Sequence, residues 1–541
     1  MYNITSLPNP QLNNRTYPVK VGAVLGGSSA IDGLFGDRGS KADYDAWETL
    51  GNPGWSFSSL LPYFKKSVTF TPPSPDEAKA YNYTWDISAY GGNGTGGPVQ
   101  VSLPSYNWPQ SKHIWEAWKQ MGIPRQNEGA NGNAFNTFVS PTFLDPVTRT
   151  RSYARTAHWD PYKNRTNYKY NLLSGYQVTE IRLITGRLRA VGVNVVKRGT
   201  AGPKIAIQSK RQVILAAGAV WTPWLLQRSG LGPKSVLEAA NIPVIKDIPG
   251  VGANLQDHPY SAPPSKFTND LIPSPEYLLA NATAYEEAKR EYEQSRTGPL
   301  TLARGHQAAF LPLKTWQPQW KDLIRALLSQ TASNYLPAGY DKNLTDGFIA
   351  QRNVVANLFN QTDNAAVEFN FGPVPLNGGA LLRTLSRGTV TLNATDPLAA
   401  PLVDFRTFTN PIDVANAVAA IRYSHRVNSQ PALKGLGPVG YIPELNATSD
   451  SEIEKALRES LMLPSFSHMS GTAAMLPEQY GGVVGPDLGV YGIRKLSVVD
   501  ASIIPLIPAT HLTATVYAVA EKVSLRTRVD FFFSRGFREW F

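Results

Sequence analysis

Apolar and β-branched residues come in short runs through the middle of the chain. YQVTEIRLI (176–184), RAVGVNVV (189–196), PKIAIQS (203–209) and RQVILAAGA (211–219) are each bounded by turn residues, which predicts four strands. Inside the last run, VILAAGA is apolar without interruption, the pattern of a strand buried on both faces. VWTPWLLQRSG follows and predicts a helix closed by Gly230. AAVEFNFGPV (365–374) and SRGTVTLNATDP (386–397) again read as strands. NPIDVANAVAAIRYSHRV then switches to helical spacing. Val414, Ala417, Val418 and Ile421 form one apolar stripe, Pro411 suits the first turn and Asp413 complements the helix dipole. After 460, Gly-rich loops lead to a strand, KLSVVDAS (495–502), and a helix, TATVYAVAEKVSL (513–525). Residues 60–160, rich in Pro, Tyr and Asn, predict a loop-heavy segment, and no internal repeat is visible.

The 541 residues suit two domains or one large interleaved pair. The order of elements predicts one domain assembled from non-contiguous pieces, with a second inserted between them. Charged residues make up only 17%, against a usual ~25%. With no cysteine, disulfides, thiolate nucleophiles and Cys-ligated metals are excluded. The net charge of +11 is spread along the chain, without the basic stripe or module that nucleic-acid binding needs. No apolar run reaches the ~18 residues of a membrane span. The opening MYNITSLPNP lacks the features of a signal peptide. Ten Asn-x-Ser/Thr triplets, at Asn3, Asn14, Asn82, Asn93, Asn164, Asn281, Asn343, Asn360, Asn393 and Asn446, nevertheless favour a secretory or extracellular protein.

Three pieces carry candidate chemistry. In VLGGSSAIDG (24–33), Gly26 and Gly27 allow close backbone approach and Ser28 and Ser29 add hydroxyls. Taken alone it reads as an ordinary Gly/Ser turn. GGNGTGG (91–97) contains a formal Gly-x-Gly-x-x-Gly, but it is followed by Pro98 and an extended VQVSLP instead of a helix, so it reads as a surface turn. The third piece holds two of only seven histidines. His468 precedes a Gly-Thr turn and His511 stands two residues before a helix. Each alone reads as structural; together they form a candidate base and hydrogen-bond donor for one hydroxyl.

Taken in order, these pieces resemble a known family. VLGGSSAIDGLFGDRGSKADYDAWETLGNPGWSFSSLLPYFKKSV is similar to the first signature of the glucose-methanol-choline (GMC) flavoprotein oxidoreductases, and GAVWTPWLLQRSGLGP (218–233) to their second. VGANLQDHP (251–259), SRGTVTL (386–392) and the block from His468 to Lys522 match further stations, so the resemblance runs from about residue 18 to 525. It implies a mixed α/β and α+β fold: a Rossmann-like FAD-binding domain in non-contiguous pieces, and a substrate domain with an antiparallel sheet and helices. The pieces are expected at 1–60, 161–264 and 459–525 for the FAD domain, 61–160 for a loop-rich lid, 265–458 for the substrate domain and 526–541 for an atypical tail.

The resemblance also implies roles. Leu25, Gly26, Gly27, Ser28 and Ser29 match the stretch running past the FAD pyrophosphate towards the flavin. Val178 matches the position whose backbone reads the adenine. Asp500 and Ala501 match the pair beside the ribityl chain, and Leu512 and Thr513 the helix start at the flavin pyrimidine edge. His468 aligns with the catalytic base that takes the hydroxyl proton of a small alcohol while hydride moves to flavin N5, and His511 with the second catalytic position. No metal is implied. The chain departs from the pattern in three places. Asp32 stands where relatives often have Asn, the chain starts too late to hold the family's dinucleotide fingerprint and first strand–helix unit so that about 70–90 residues are expected to be missing from it, and SLRTRVDFFFSRGFREWF is basic and aromatic where relatives finish differently. The expected activity is FAD-dependent alcohol oxidation, in the style of fungal members that serve secondary metabolism. The alternatives are a non-redox cyclase or isomerase on the same scaffold and a non-catalytic protein.

Overall fold

The computed structural model describes residues 1–92, 96–165, 170–200, 202–261, 263–302, 305–369, 371–440 and 449–536, with side chains of the last helix described as far as residue 524. The expected strands at 176–184 and 189–196 form the long antiparallel pair Tyr176–Ile184 and Arg189–Lys197, joined on the other edge by Ile205–Gln208. The apolar run after 211 behaves differently from its pattern. Only Val213–Leu215 is a strand, and the helix Gly218–Arg228 begins within the run. This strand pairs in parallel with Leu496–Val498 in a two-stranded sheet. Val213 and Leu215 face inward while Ile214 is 48% exposed. The expectation of burial on both faces therefore fails, because among the described residues the pair packs on one side only.

Six strands form the largest sheet, in the order Met462–Leu463, Tyr260–Ser261, Ala380–Leu381, Val367–Phe369, Gln307–Leu311 and Asn136–Val139, with every neighbouring pair antiparallel. The outer strand Asn136–Val139 comes from the Pro- and Tyr-rich segment. Helix Pro411–Asn428, capped by the Asn410 side chain, covers one face of the sheet. Its stripe Val414, Ala417, Val418 and Ile421 joins Leu381 and Met462 in one buried cluster. Each such Val or Ile contributes roughly 1.5–3 kcal/mol on burial, which fixes the sheet's register against the helix. Side chains alternate along a strand, so neighbours of these residues point to the opposite face. There the register places Tyr260, Ala380, Glu368, Phe310 and Asn136 in one row across five strands.

The helix Lys41–Thr49 is tied to this sheet by one carboxylate. Asp43 Oδ2 accepts the N–H and hydroxyl of Ser40, closing a capping box. Its Oδ1 accepts Arg383 Nη2 at 2.7 Å and the Ala509 N–H at 2.8 Å. Both side chains of the Asp43–Arg383 pair are sealed from solvent. Removing one partner would strand the other charge, at a cost of about 3–5 kcal/mol.

Candidate active site

The ordered motifs of the sequence converge in space. Asn254 to Gln256 bridge to Gly388 on one side and to Ser470 on the other. The Thr472 hydroxyl donates to the Ala219 carbonyl, and the N–H groups of Gly471 and Ala473 donate to the carbonyls of Ala501 and Ser502. The first signature reaches the same place through Asp32, Asp37 and Asp43, which bond to Thr513, to Thr510 and His511, and to Ala509.

At the junction the two candidate histidines meet, with ring centroids 5.1 Å apart and planes nearly perpendicular. His468 is positioned by Asp257. That carboxylate accepts the N–H groups of His258, Phe466 and His468 and the Ser465 hydroxyl, and so pins the loop carrying His468 to the loop carrying His258. Burial pushes Asp257 up to about 7, against four hydrogen bonds that favour its charged form. His468 Nδ1 lies 2.9 Å from His258 Nδ1. Burial, with His258 and His511 beside it, pushes His468 well below the ordinary histidine range, so it is neutral at pH 7.

His511 has opposite surroundings. Burial alone would lower its pKa, but Asp37 and Glu368 outweigh that and raise it to about 9. Asp37 Oδ1 lies 3.1 Å from His511 Nδ1, and Asp37 Oδ2 accepts the Thr510 hydroxyl and the His511 N–H. Glu368 reaches from the sheet row, its Oε1 3.8 Å from His511 Nε2, while Oε2 is buried without a hydrogen bond among the described residues. Burial and Asp37 raise Glu368 to about 7, with His511 pulling it the other way. Phe35 stacks on the imidazole at 4.4 Å and 12°. Phe310 and Phe466 complete an aromatic wall, with Tyr260 against Phe466.

The Gly/Ser stretch forms a short 3-10 turn, Gly27–Ala30, with Gly26 and Gly27 at φ +97° and +57°. Glycine adopts such left-handed angles most readily, and among the described residues no non-glycine residue reaches φ +97°. A Cβ on Gly27 would have nothing within 4 Å, and the same holds at Gly218, so both backbones lie open to close approach. The apolar Val24 and Ile31 beside the turn are 53% and 41% exposed. The serine hydroxyls are already engaged: Ser28 Oγ accepts the Gly22 N–H, and Ser29 Oγ donates to the Gly26 carbonyl and accepts the Ala154 N–H. Asp32 is neutralised by an ion pair with Arg151 and accepts the Thr513 hydroxyl at 2.9 Å. Its charge is therefore balanced at the start of helix Thr513–Gly536. Asp500 directs its carboxylate to Gly218, Thr222 and Ser502, which leaves only backbone from 500–501 for a ligand. Leu512 is buried. Val178 sits apart from the histidines on strand Tyr176–Ile184, paired with Val195. An open glycine turn, exposed apolar flanks and a helix N-terminus fit a long group that is anionic at its middle and planar at one end.

Sequence reading missed Asp37, Asp257, His258 and Glu368. The first three lie inside quoted motifs, where an acidic or imidazole side chain next to a signature glycine or histidine was the available signal. Glu368 carried only one, a lone acidic residue in an apolar strand. The Gly-x-Gly-x-x-Gly look-alike leads into strand Val99–Ser102 and not into a helix, as expected; its residues 93–95 lie outside the described ones.

Two family models, both described as GMC oxidoreductase, match residues 5–260 and 384–520. The dehydrogenase xptC of Emericella nidulans is 35% identical over 96% of this chain and 83% of its own length. Versicolorin B synthase stcN of the same organism is 32% identical over 95% of this chain and 77% of its own. Among solved structures, an FAD-dependent oxidoreductase from Chaetomium thermophilum superposes with a TM-score of 0.93 at 37% identity, covering 98% of this chain and 90% of that one. A fungal aryl-alcohol oxidase gives 0.90 at 38%, covering 96% and 88%.

Proposed function

The chain belongs to the GMC oxidoreductases, and from that premise we propose that it oxidises the CH–OH group of a small, planar, largely apolar alcohol, with His468 as base and His511 as cationic hydrogen-bond donor. The observation that carries this reading is the pairing of a neutral and a protonated imidazole 5.1 Å apart over an aromatic wall. The substrate hydroxyl gives its proton to His468, and the oxygen, as it gains negative charge, is held by the His511 N–H. Phe35, Phe310, Phe466 and Tyr260 support an arylic or similarly flat substrate, in line with the aryl-alcohol oxidase neighbour.

FAD is the cofactor, and when bound it supplies the two-electron acceptor for the carbinol hydride. The residues that would hold it are the backbone of Leu25 to Ser29, Val178, Asp500 with Ala501, and Leu512 with Thr513. The Thr513 helix start offers N–H groups to negative charge there. Asp32, paired to Arg151, adds no net repulsion.

We place the alcohol in fungal secondary metabolism, a reading supported by relatives such as versicolorin B synthase. A secretory route is supported by the exposed sequon residues Asn3, Asn14, Asn82, Asn343 and Asn360. Among the described residues no helix is long and apolar enough to cross a membrane.

The test is anaerobic mixing of the flavin-loaded protein with a panel of benzylic and aliphatic primary alcohols. Loss of the visible flavin absorbance together with aldehyde formation is expected for the benzylic members. Product formed with the absorbance unchanged would instead support a non-redox cyclisation or isomerisation, the second reading that the 32% identity to versicolorin B synthase favours.

A further inference from the structure

A third histidine stands behind the pair. His258 is fully buried, its ring perpendicular to that of His468 at 5.0 Å, and the two Nδ1 atoms are 2.9 Å apart. Both rings are neutral: burial, with His511 and Arg383 nearby, pushes His258 down to about 3, and burial acts on His468 in the same direction. A close N···N contact between two neutral imidazoles requires one N–H and one lone pair, so the proton sits on one Nδ1 or the other. The choice decides the chemistry of His468. Donation from His258 would leave His468 protonated at Nε2 and unable to accept there. Donation from His468 leaves its Nε2 bare. His468 Nε2 makes no hydrogen bond among the described residues and is not sealed in; His258 then carries its own proton on the buried Nε2, and the Leu382 backbone beside that ring favours a proton on it.

We propose that His258 is a positioning residue that accepts a hydrogen bond from His468 Nδ1–H and thereby holds His468 in the tautomer whose bare Nε2 faces the reacting hydroxyl. The inference rests on the base assignment above. Two consequences follow. The ring nitrogen that does not react is fixed, as a second partner commonly fixes the tautomer of a working histidine. When Nε2 takes the hydroxyl proton, His468 becomes imidazolium, and its bond to His258 becomes charge-assisted, roughly doubling in strength. No proton needs to pass to His258. The hydroxyl proton rests on His468 Nε2 until the ring releases it to solvent.

The experiment uses the full chain labelled with 15N-imidazole histidine; with seven histidines, the His468 signals are assigned by their loss in His468→Gln. Long-range 15N–1H spectra are expected to show His468 protonated at Nδ1. In His258→Leu the ring should shift towards the Nε2–H form and kcat should fall on the order of 10- to 100-fold with KM little changed. His258→Gln, whose side-chain carbonyl can accept the same bond, should restore the Nδ1–H form and most of kcat. A wild-type ring protonated at Nε2, or a His258→Leu protein with tautomer and kcat unaltered, overturns the proposal. These spectra report on the tautomer whether or not an alcohol is oxidised. Full turnover by His468→Gln would instead strike the base assignment.

Discussion

His468 and His511 are the same residue type, 43 positions apart in sequence and in ring contact, yet the fold gives them opposite charge states. The loop of His468 is built from amide N–H donors gathered on Asp257, and the imidazole itself meets the neutral His258, the Phe466 ring and His511, with no carboxylate bonded to its ring among the described residues. His511 stands between two buried carboxylates, one from the first signature and one from the six-stranded sheet. Surroundings, not residue type, thus separate a neutral imidazole from a charged one. The separation also needs proximity, because a cation on His511 helps keep His468 neutral.

The contrast can be broken most completely by removing the acceptor. His468→Ala is expected to lower kcat by on the order of 10²- to 10⁴-fold while the His511 titration stays near its wild-type position, measured by steady-state kinetics and imidazole NMR. Asp37→Asn should act from the other side. Wild-type activity is expected to fall as pH rises through about 9, where His511 loses its proton; the variant's alkaline limb should move one to two pH units lower, giving a drop of roughly 2- to 10-fold at pH 8. The same raised pKa links to stability. His511 binds its proton more tightly folded than unfolded, so its contribution is complete below about 6.5 and lost as pH rises towards 9. Denaturant midpoints across that range should slope downward in the wild type and flatten in Asp37→Asn; equal slopes would sink the carboxylate's role. The smallest effect is expected from Phe35→Leu, which removes a stacked ring but leaves both charge states intact. A loss of about 0.5–1.5 kcal/mol in unfolding free energy and an unmoved pH profile would sharpen the comparison.

Much of this arrangement was readable in the chain. The stripe Val414, Ala417, Val418 and Ile421 announced its helix because its period matches a helix face, and Pro411 with Asp413 marked the first turn. The Gly26–Gly27 turn and the two histidines stood out because five motifs occurred in a fixed order. Strand burial was less legible: an uninterrupted apolar run such as 213–219 does not say how many neighbours its sheet has, and Ile214 came out exposed. The carboxylates around His511 were illegible for a different reason. Asp37 is 474 residues away from it in sequence and Glu368 acts through the face it occupies on a strand. Local pattern marks which residues are reactive types; long-range register decides which of them share a charge.

Asp43 has one more implication, for the order in which the protein is made. Its Oδ1 waits for Arg383, 340 positions on, and for the amide of Ala509, 466 positions on. A ribosome adding about 5–20 residues per second delivers the second of these some 25–90 seconds after Asp43 itself. Until Arg383 is made the nascent chain holds a carboxylate destined for complete burial with neither of its distant partners, and until Ala509 is made it still lacks one of them. The contacts that seal Asp43 can therefore close only after most of the chain that follows it has been made.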